Sequence, residues 1–197
     1  MAVATVNFEQ ALAVGQLGES MISHWLRNKG WHVLPAYEKE IDNGKGPRLF
    51  LASGGEASQL ITPDLFAMRG GQFLWVEAKH KSTFTWYGKG RYWTTGIDKR
   101  HFADYARVQE TTGIDVWLLF LHRDSTTRPD DVRKWGAPPE CPTGLFGRSI
   151  EYLSSHNSHD SDKWGPSGMV YWQPFEHLLK LAELSDLAQY ERTSLFF

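Results

Sequence analysis

The pattern of apolar and polar positions along the chain predicts alternating helices and strands. From residue 8 to residue 29, apolar residues recur at steps of three and four, which predicts an amphipathic helix that ends near Gly30. The next segment, WHVLPAY at 31–37, favours a strand, and Pro35 places it at a sheet edge because proline has no N–H to donate. We therefore expect the N-terminal region to form a helix followed by an edge strand.

The middle of the chain carries the clearest strand patterns. ITPDLFAM at 61–68 and FLWVEAKH at 73–80 are joined by the turn residues 69–72, and together they predict a β-hairpin. Residues 98–112 predict a second helix that ends at a glycine. The continuously apolar segment DVWLLFLH at 115–122 predicts a strand that is buried on both faces.

Two stretches have weaker patterns. The polar segment from Glu38 to Leu60 predicts a loop or hairpin with a short strand at 48–51. The Pro-, Ser- and Asp-rich segment 123–168 predicts a long irregular insertion near the C-terminal third, around one element near Leu145 to Leu153. A strand, MVYW, and a helix from about Phe175 to Leu187 are expected to follow.

Composition agrees with a globular α/β protein. The chain has 197 residues, of which 41% are hydrophobic and 22% charged, enough apolar surface for one packed core. We expect a single domain over residues 1–197, with a core over about 8–122 and the insertion over 123–168. The C-terminal strand and helix would occupy about 169–190.

Charge and cysteine content narrow the function classes. The formal net charge is −2, so the chain lacks the basic excess of a protein held on nucleic acid by bulk charge. Cys141 is the single cysteine, which excludes an intramolecular disulfide and a cysteine-based zinc site. There is no apolar run of the roughly 18 residues that a spanning helix needs, and the first ten residues lack the basic start of a secretory signal. We expect a cytoplasmic protein without a membrane segment.

The predicted hairpin brings charged residues together. If Met68 pairs with Phe73 across the turn, Asp64 lies directly opposite Glu77. Directly opposite residues share a face, and because side chains alternate along a strand, Lys79 points to the same side as Glu77. Two carboxylates and one ammonium group therefore converge at one end of a largely apolar hairpin.

Opposed carboxylates need a compensating cation. Like charges that face each other destabilise a sheet, and partial burial increases the cost. A hard divalent ion such as Mg²⁺ binds carboxylate and carbonyl oxygens and keeps several waters, which leaves room for a phosphate oxygen and an attacking water. Lys79 would face the same centre, where it could orient or deprotonate that water or stabilise charge on the phosphate.

The first helix supplies another acidic residue. At 100° per residue, Glu19 falls on the apolar stripe, close to Gly15 and Ile22. A carboxylate on a face that packs against the core requires a partner, so Glu19 is a candidate direct or water-mediated metal contact. The alternative is that Glu19 lies at the edge of the stripe and reaches solvent.

These residues resemble the motif of the PD-(D/E)xK nuclease superfamily. The resemblance consists of Thr62-Pro63-Asp64, twelve intervening residues and then Glu77-Ala78-Lys79, preceded by the helical Glu19. It extends over about residues 8–122 and includes the order of helix, strands, hairpin, helix and strand. It implies a restriction-endonuclease-like fold, in which a mixed central sheet is flanked by helices, nearest to Holliday-junction-resolvase-like or phage-type nucleases.

The resemblance also implies roles for individual residues. Asp64 and Glu77 would bind Mg²⁺ or Mn²⁺ with help from the carbonyl of Ala78, and Lys79 would be catalytic. Glu19 matches the helix acid of the resolvase-like branch. Gln109, on the inner side of the second helix, is a candidate accessory residue. Relatives of this kind often act as dimers, so a homodimer is allowed, although no interface stripe in the sequence specifies one.

A basic, aromatic segment follows the motif. Residues 79–101 carry a local formal charge of +5 and include four interleaved aromatic residues. Basic side chains can neutralise phosphates and exposed aromatic rings can stack on bases, so this segment could face DNA. The alternative is a hairpin with inward-packed aromatic rings and solvated cations. The candidate DNA-contacting residues are Lys81, Lys89, Arg91, Lys99 and Arg100.

The residues thus favour a metal-dependent deoxyribonuclease that hydrolyses phosphodiester bonds, with branched or recombination and repair intermediates as candidate substrates. One alternative is a nucleic-acid-binding or assembly module that keeps the nuclease fold without turnover. Another is a nuclease that acts on RNA, since the motif addresses the phosphate and not the sugar. The spacing of His156, His159 and Asp160 could suit a metal, but the surrounding SSHNSHDSD is typical of a flexible polar loop.

Overall fold

The computed structural model describes residues 2–35, 48–50 and 59–191. Its helices are α1 (Ala2–Asn28), α2 (Lys99–Thr112), α3 (Pro129–Trp135), α4 (Ile150–Ser155) and α5 (Leu184–Glu191). Its strands are β1 (His32–Pro35), β2 (Arg48–Phe50), β3 (Gln59–Ile61), β4 (Leu65–Arg69), β5 (Gln72–Lys81), β6 (Thr85–Tyr87), β7 (Tyr92–Asp98), β8 (Asp115–His122), β9 (Gly144–Ser149), β10 (His159–Ser161), β11 (Met169–Trp172) and β12 (Leu179–Ala182).

A six-stranded sheet in the order β1-β4-β5-β8-β9-β12 forms the centre of the fold. β5 and β8 run parallel, while the other neighbouring pairs of this sheet run antiparallel. β1, which contains Pro35, lies at one edge as predicted. The predicted mixed central sheet flanked by helices is therefore confirmed, and it is consistent with a restriction-endonuclease-like fold.

The two faces of the sheet are covered by different helices. On one face, Met21 and Ile22 of α1 pack with Val76 and Ala78 of β5. On the other face, α2 and α4 pack against the alternate residues of β8, including Leu118 and Phe120. β5 pairs in register with β8, which places Glu77 beside Leu118 and Lys79 beside Phe120. Because side chains alternate, Glu77 and Lys79 point to the α2 face.

A glycine allows α1 to approach β5 closely. A Cβ atom added to Gly18 would lie 2.5 Å from the Cβ atom of His80, which is far inside van der Waals contact. A Cβ atom added to Gly15, which lies on the same helix, would meet nothing within 4 Å. The contact at Gly18 thus fixes the depth of the helix turn that carries Glu19.

The segment 123–168 is more regular than predicted. It contains α3, β9, α4 and β10, and β9 lies inside the central sheet between β8 and β12. The single element expected near Leu145 to Leu153 is therefore a strand followed by a short helix, with the hydroxyl of Ser149 accepting a bond from the N–H of Tyr152. The Pro, Ser and Asp residues that suggested irregularity lie mainly in the connections.

The C-terminal region differs from the prediction of one helix from Phe175 to Leu187. The structure has a turn at 175–177, then strand β12, and then α5. β12 adds to the edge of the central sheet by pairing with β9, and its leucines, Leu179 and Leu181, stand two residues apart as in a strand. The predicted strand MVYW is present as β11, but it belongs to a second sheet of order β10-β11-β7-β6.

The polar excursion after β1 is described only in part. The predicted short strand is present as β2, which pairs with β3. The remaining residues of the predicted loop or hairpin, 38–47 and 51–58, lie outside the described residues. Among the helices that are described, none combines the length and apolar character needed to cross a membrane.

The close contact at Gly18 predicts opposite effects for two substitutions on one helix. Gly18→Ala would overpack the α1–β5 interface and lower the free energy of unfolding by about 1–3 kcal/mol. Gly15→Ala, which has open space around the added methyl group, would raise it by about 0.5–1 kcal/mol because glycine is unfavourable inside a helix. Urea denaturation of both variants measures the difference, and equal effects at the two positions would contradict the close approach at Gly18.

Candidate metal and catalytic site

The β4–β5 hairpin has the predicted register. Met68 pairs with Phe73, and the ladder continues to Leu65 opposite Val76. One further step along both chains brings Asp64 to the level of Glu77, just where β4 begins. The charged end of the hairpin is therefore formed by the residues that the sequence predicts.

Asp64 and Glu77 are both buried. The side chain of Asp64 is anchored to β5, because its Oδ2 atom accepts a hydrogen bond of 3.1 Å from the backbone N–H of Ala78. Glu77 is 1% exposed and its Oε1 atom forms an ion pair with the ammonium group of Lys79. Its Oε2 atom is also buried, and no hydrogen-bond partner for it occurs among the described residues. A buried carboxylate oxygen in this state is expected to have a ligand that the protein chain does not supply.

Lys79 is held in its charged form by the acidic groups around it. Burial alone would lower the pKa of this lysine. The charges of Glu77, Asp64 and Glu19, together with the bond to Glu77, outweigh burial and raise the pKa above its usual range. The side chain is 30% exposed, so the ammonium group lies at the boundary between the carboxylates and solvent.

Glu19 acts on this site from the first helix. It is half-buried on α1, one residue after the close contact of Gly18 with β5. Its charge contributes to the raised pKa of Lys79, so the helix acid lies within electrostatic range of the hairpin motif. Within the described residues, however, no three His, Cys, Asp or Glu side chains come together as a group that could hold a metal ion.

Gln109 has a structural partner. Its Oε1 atom accepts a hydrogen bond of 2.9 Å from the backbone N–H of Val116, which connects α2 to the start of β8. The α2 residue whose charge environment includes Lys79 is His101 instead. Burial and the positive charge of Lys79 both lower the pKa of His101. His101 is not among the residues predicted from the sequence, although its position four residues before the buried Tyr105 places both on one side of α2.

The five candidate DNA-contacting residues differ in their surroundings. Lys81 is half-buried at the end of β5, and burial together with the charge of Lys79 lowers its pKa. Lys89 and Arg91 are exposed in the turn between β6 and β7. Lys99 pairs with Asp162 at 2.7 Å and Asp160 at 3.3 Å, so much of its charge is already compensated. Arg100 is exposed in the first turn of α2.

The aromatic residues of this segment pack across a hairpin. Trp86 pairs with Trp93 with ring centroids 4.9 Å apart, and Tyr87 pairs with Tyr92 at 5.3 Å. This arrangement corresponds to the alternative prediction, a hairpin whose aromatic rings pack on each other while its exposed lysine, Lys89, is solvated.

The segment SSHNSHDSD, which the sequence predicts to be a flexible polar loop, contains regular structure, because His159 belongs to strand β10.

The donor set of the hairpin fits a hard divalent cation. Two buried carboxylates lie at the same level of the hairpin, and one Glu77 oxygen lacks a hydrogen bond within the described part of the chain. Oxygen donors of this kind are those that Mg²⁺ prefers. A cation would also compensate negative charge of the two carboxylates beside Lys79. The residues that are brought together thus fit the metal that the sequence resemblance implies.

Comparison with known proteins gives a similarity of fold. No protein-family model matches the chain, and no curated protein matches it. Among solved structures, the chain is similar to Hjc, a Holliday junction resolvase from the archaeal hyperthermophile Archaeoglobus fulgidus. The identity is 9%, the TM-score is 0.44, and the match covers 84% of this chain and 94% of that chain. At this identity and score the similarity assigns no residue role, so the site is interpreted from its own contacts.

A buried histidine lies beside the basic end of β5. His122, the last residue of β8, is fully buried and pairs in register with Lys81. The ring of Phe84 stacks on the imidazole with centroids 3.6 Å apart. Burial, assisted by the charge of Lys81, lowers the pKa of His122 to about 3. The folded state therefore favours the neutral imidazole.

His122 predicts a loss of stability in acid. An unfolded histidine has a pKa of about 6.5, so the stabilisation is complete above that pH and is lost as the pH falls towards about 3. At pH 5 the loss relative to pH 7 amounts to about 2 kcal/mol. His122→Phe, which keeps an aromatic ring against Phe84, should remove that part of the slope in denaturation measured from pH 7 to pH 5. The exposed His32→Gln serves as the control, and an unchanged slope in His122→Phe would contradict the neutral buried imidazole.

Proposed function

We propose that the protein is a metal-dependent deoxyribonuclease that hydrolyses phosphodiester bonds. The observation that carries the proposal is the buried pair Asp64 and Glu77 beside the charged Lys79, with one Glu77 oxygen left without a hydrogen bond among the described residues. A structural salt bridge alone would not require the second carboxylate at the same place, because burying like charges together is unfavourable.

The residues of the hairpin would divide the work as follows. Asp64, Glu77 and the backbone of Ala78 would hold Mg²⁺ or Mn²⁺, and Glu19 would support the site from α1. The ion supplies Lewis-acid activation of a phosphate oxygen and a water. Lys79, kept charged by the surrounding carboxylates, would bind the phosphate and stabilise the negative charge that develops on it.

The substrate assigned by this proposal is DNA, with branched recombination or repair intermediates among the candidate substrates. Lys81, Lys89, Arg91 and Arg100 would neutralise phosphates, and such contacts position a nucleic acid without reading its sequence. Lys99 would contribute less, because Asp160 and Asp162 already compensate its charge. The near-neutral whole chain supports an affinity that is local to this region.

Cleavage assays test the proposal directly. Branched, duplex and single-stranded DNA, with matched RNA strands, would be incubated with the protein and Mg²⁺ or Mn²⁺. We expect cleavage of DNA that Glu77→Gln or Lys79→Ala lowers by at least about 100-fold, because each removes a group that acts on the reacting phosphate. Glu151→Gln, an exposed substitution on α4, should leave the rate unchanged.

Three results would contradict the assignment. Equal rates for the wild type, Glu77→Gln and Lys79→Ala would mean that the hairpin is not the active site. DNA that is bound equally well with and without divalent ions, and remains intact, would support the alternative of a binding or assembly module without turnover. Faster cleavage of RNA than of DNA would shift the substrate class to RNA.

Metal binding can be measured apart from turnover. A cation held by Asp64 and Glu77 binds the folded state alone, so saturating Mn²⁺ should raise the midpoint of thermal unfolding. At 100 times the dissociation constant the stabilisation is about 2.7 kcal/mol. Asp64→Asn should abolish the shift, whereas Glu151→Gln should retain it. A shift of the same size in Asp64→Asn would place the cation elsewhere.

A further inference from the structure

A wide groove lies on the second sheet, outside the hairpin site. It encloses about 910 Å³ between β6, β10, β11, the end of α3 and the segment 162–168. We call it the aromatic groove; the lining residues that matter here are Tyr87, Lys89, Trp135, Lys163, Trp164 and Tyr171. Its volume lies at the upper end of the roughly 300–1,000 Å³ found for ligand clefts.

Two tryptophans on the walls of the groove are exposed. Trp135, at the end of α3, is 53% exposed, and Trp164 is 66% exposed. The indole of Trp135 lies so close to the β6–β7 turn that a Cβ atom on Gly88 would meet it at 2.5 Å, which fixes its position. Large aromatic rings that remain accessible in one concavity are typical of an interaction site.

The floor of the groove is already filled. The imidazole of His159 stacks between Tyr87, with centroids 4.0 Å apart, and Tyr171, at 4.7 Å. The hydroxyl of Ser158 lies 3.2 Å from the Nδ1 atom of the same ring. The facing sides of these three rings are therefore occupied, and a ligand would stack on Trp135 or Trp164 instead.

The charge of the groove is positive. In the described part of the chain no carboxylate forms an ion pair with Lys89 or Lys163, which both line the groove. The acidic residue of the lining, Asp160, is paired with Lys99. Exposed tryptophans combined with uncompensated lysines match the faces of bases and the phosphates of a polynucleotide strand.

We propose that the aromatic groove binds unpaired nucleotides of a single DNA strand. The choice of DNA rests on the proposed nuclease function, and the choice of an unpaired strand rests on the groove itself, because paired bases do not offer their faces for stacking. β5, which carries Glu77 and Lys79, continues through residues 82–84 into β6 at the edge of the groove. A strand held by Trp135 and Trp164 would thus connect with a duplex or branch point at the hairpin site.

Binding without turnover tests this inference. Fluorescence anisotropy of a labelled oligothymidylate of twelve nucleotides would be recorded in the presence of EDTA, which removes divalent ions and so prevents metal-dependent cleavage. Trp164→Ala and Trp135→Leu should each weaken binding by about 5-fold to about 100-fold, as loss of one base stack does. Trp135→Leu keeps an apolar side chain against Gly88. Phe73→Ala, at an exposed aromatic residue outside the groove, should leave the affinity unchanged.

The charge contribution has its own readout. Lys163→Gln should make the dependence of binding on salt concentration less steep by about 0.7 in the log–log slope, the value for one phosphate contact on a single strand. The same change at Lys134, which pairs with Asp130 on α3, should leave the slope as it is. A slope equal to that of the wild type in Lys163→Gln would remove this lysine from the groove's contacts.

The outcomes separate this inference from the nuclease proposal. Wild-type affinity in folded Trp164→Ala and Trp135→Leu would overturn the groove as a binding site even if the protein cleaves DNA. Equal or tighter binding of blunt duplex or of the matched RNA strand would overturn the assignment to unpaired DNA. Tryptophan-dependent binding of oligothymidylate by a protein that cleaves nothing would support the groove and contradict the nuclease proposal.

Discussion

The interaction on which the site depends is the burial of Glu77 beside Lys79. A carboxylate that is 1% exposed would be costly in the interior of a sheet, and its partner ammonium group compensates one oxygen only. Asp64 adds a second buried acid and is positioned by the N–H of Ala78. The raised pKa of Lys79 is the electrostatic result of this excess of negative charge. The rest of the fold, from the depth of α1 to the parallel pairing with β8, holds these groups in place.

Much of this arrangement can be predicted from the sequence because it is local. The turn at 69–72 sets the register of the hairpin, and the register sets which side chains face each other. Alternation along β5 then places Lys79 with Glu77, and helical spacing places Glu19 on the face of α1 that packs on the sheet. These features follow from the periodicity of strands and helices alone. The sequence therefore suffices to predict that Asp64, Glu77, Lys79 and Glu19 are neighbours.

The remaining features depend on contacts between distant segments. The pattern of segment 123–168 does not predict β9, because a buried strand this short, among Pro and Ser residues, spans too few positions to show a clear hydrophobic periodicity. β12 is only four residues long, and its pairing with the edge of β9 makes it a strand within a segment predicted to be helical. The charge of Lys79 reaches His101 at the start of α2, and the side chain of Gln109 is engaged by the N–H of Val116. In each case tertiary pairing decides between local alternatives that the sequence leaves open.

Polar contacts at the start of α2 connect this helix to the second sheet and the segment beside it. Asp98 caps this helix by accepting a hydrogen bond of 2.9 Å from the N–H of Arg100. The same carboxylate accepts a hydrogen bond from the hydroxyl of Ser167, in the segment 162–168 that borders the groove. Lys99, the next residue, pairs with Asp160 and Asp162. The first turn of α2, which contains His101, is thus held by residues beside the aromatic groove. Because these contacts hold both the start of α2 and the segment 160–168, neither can move without breaking them.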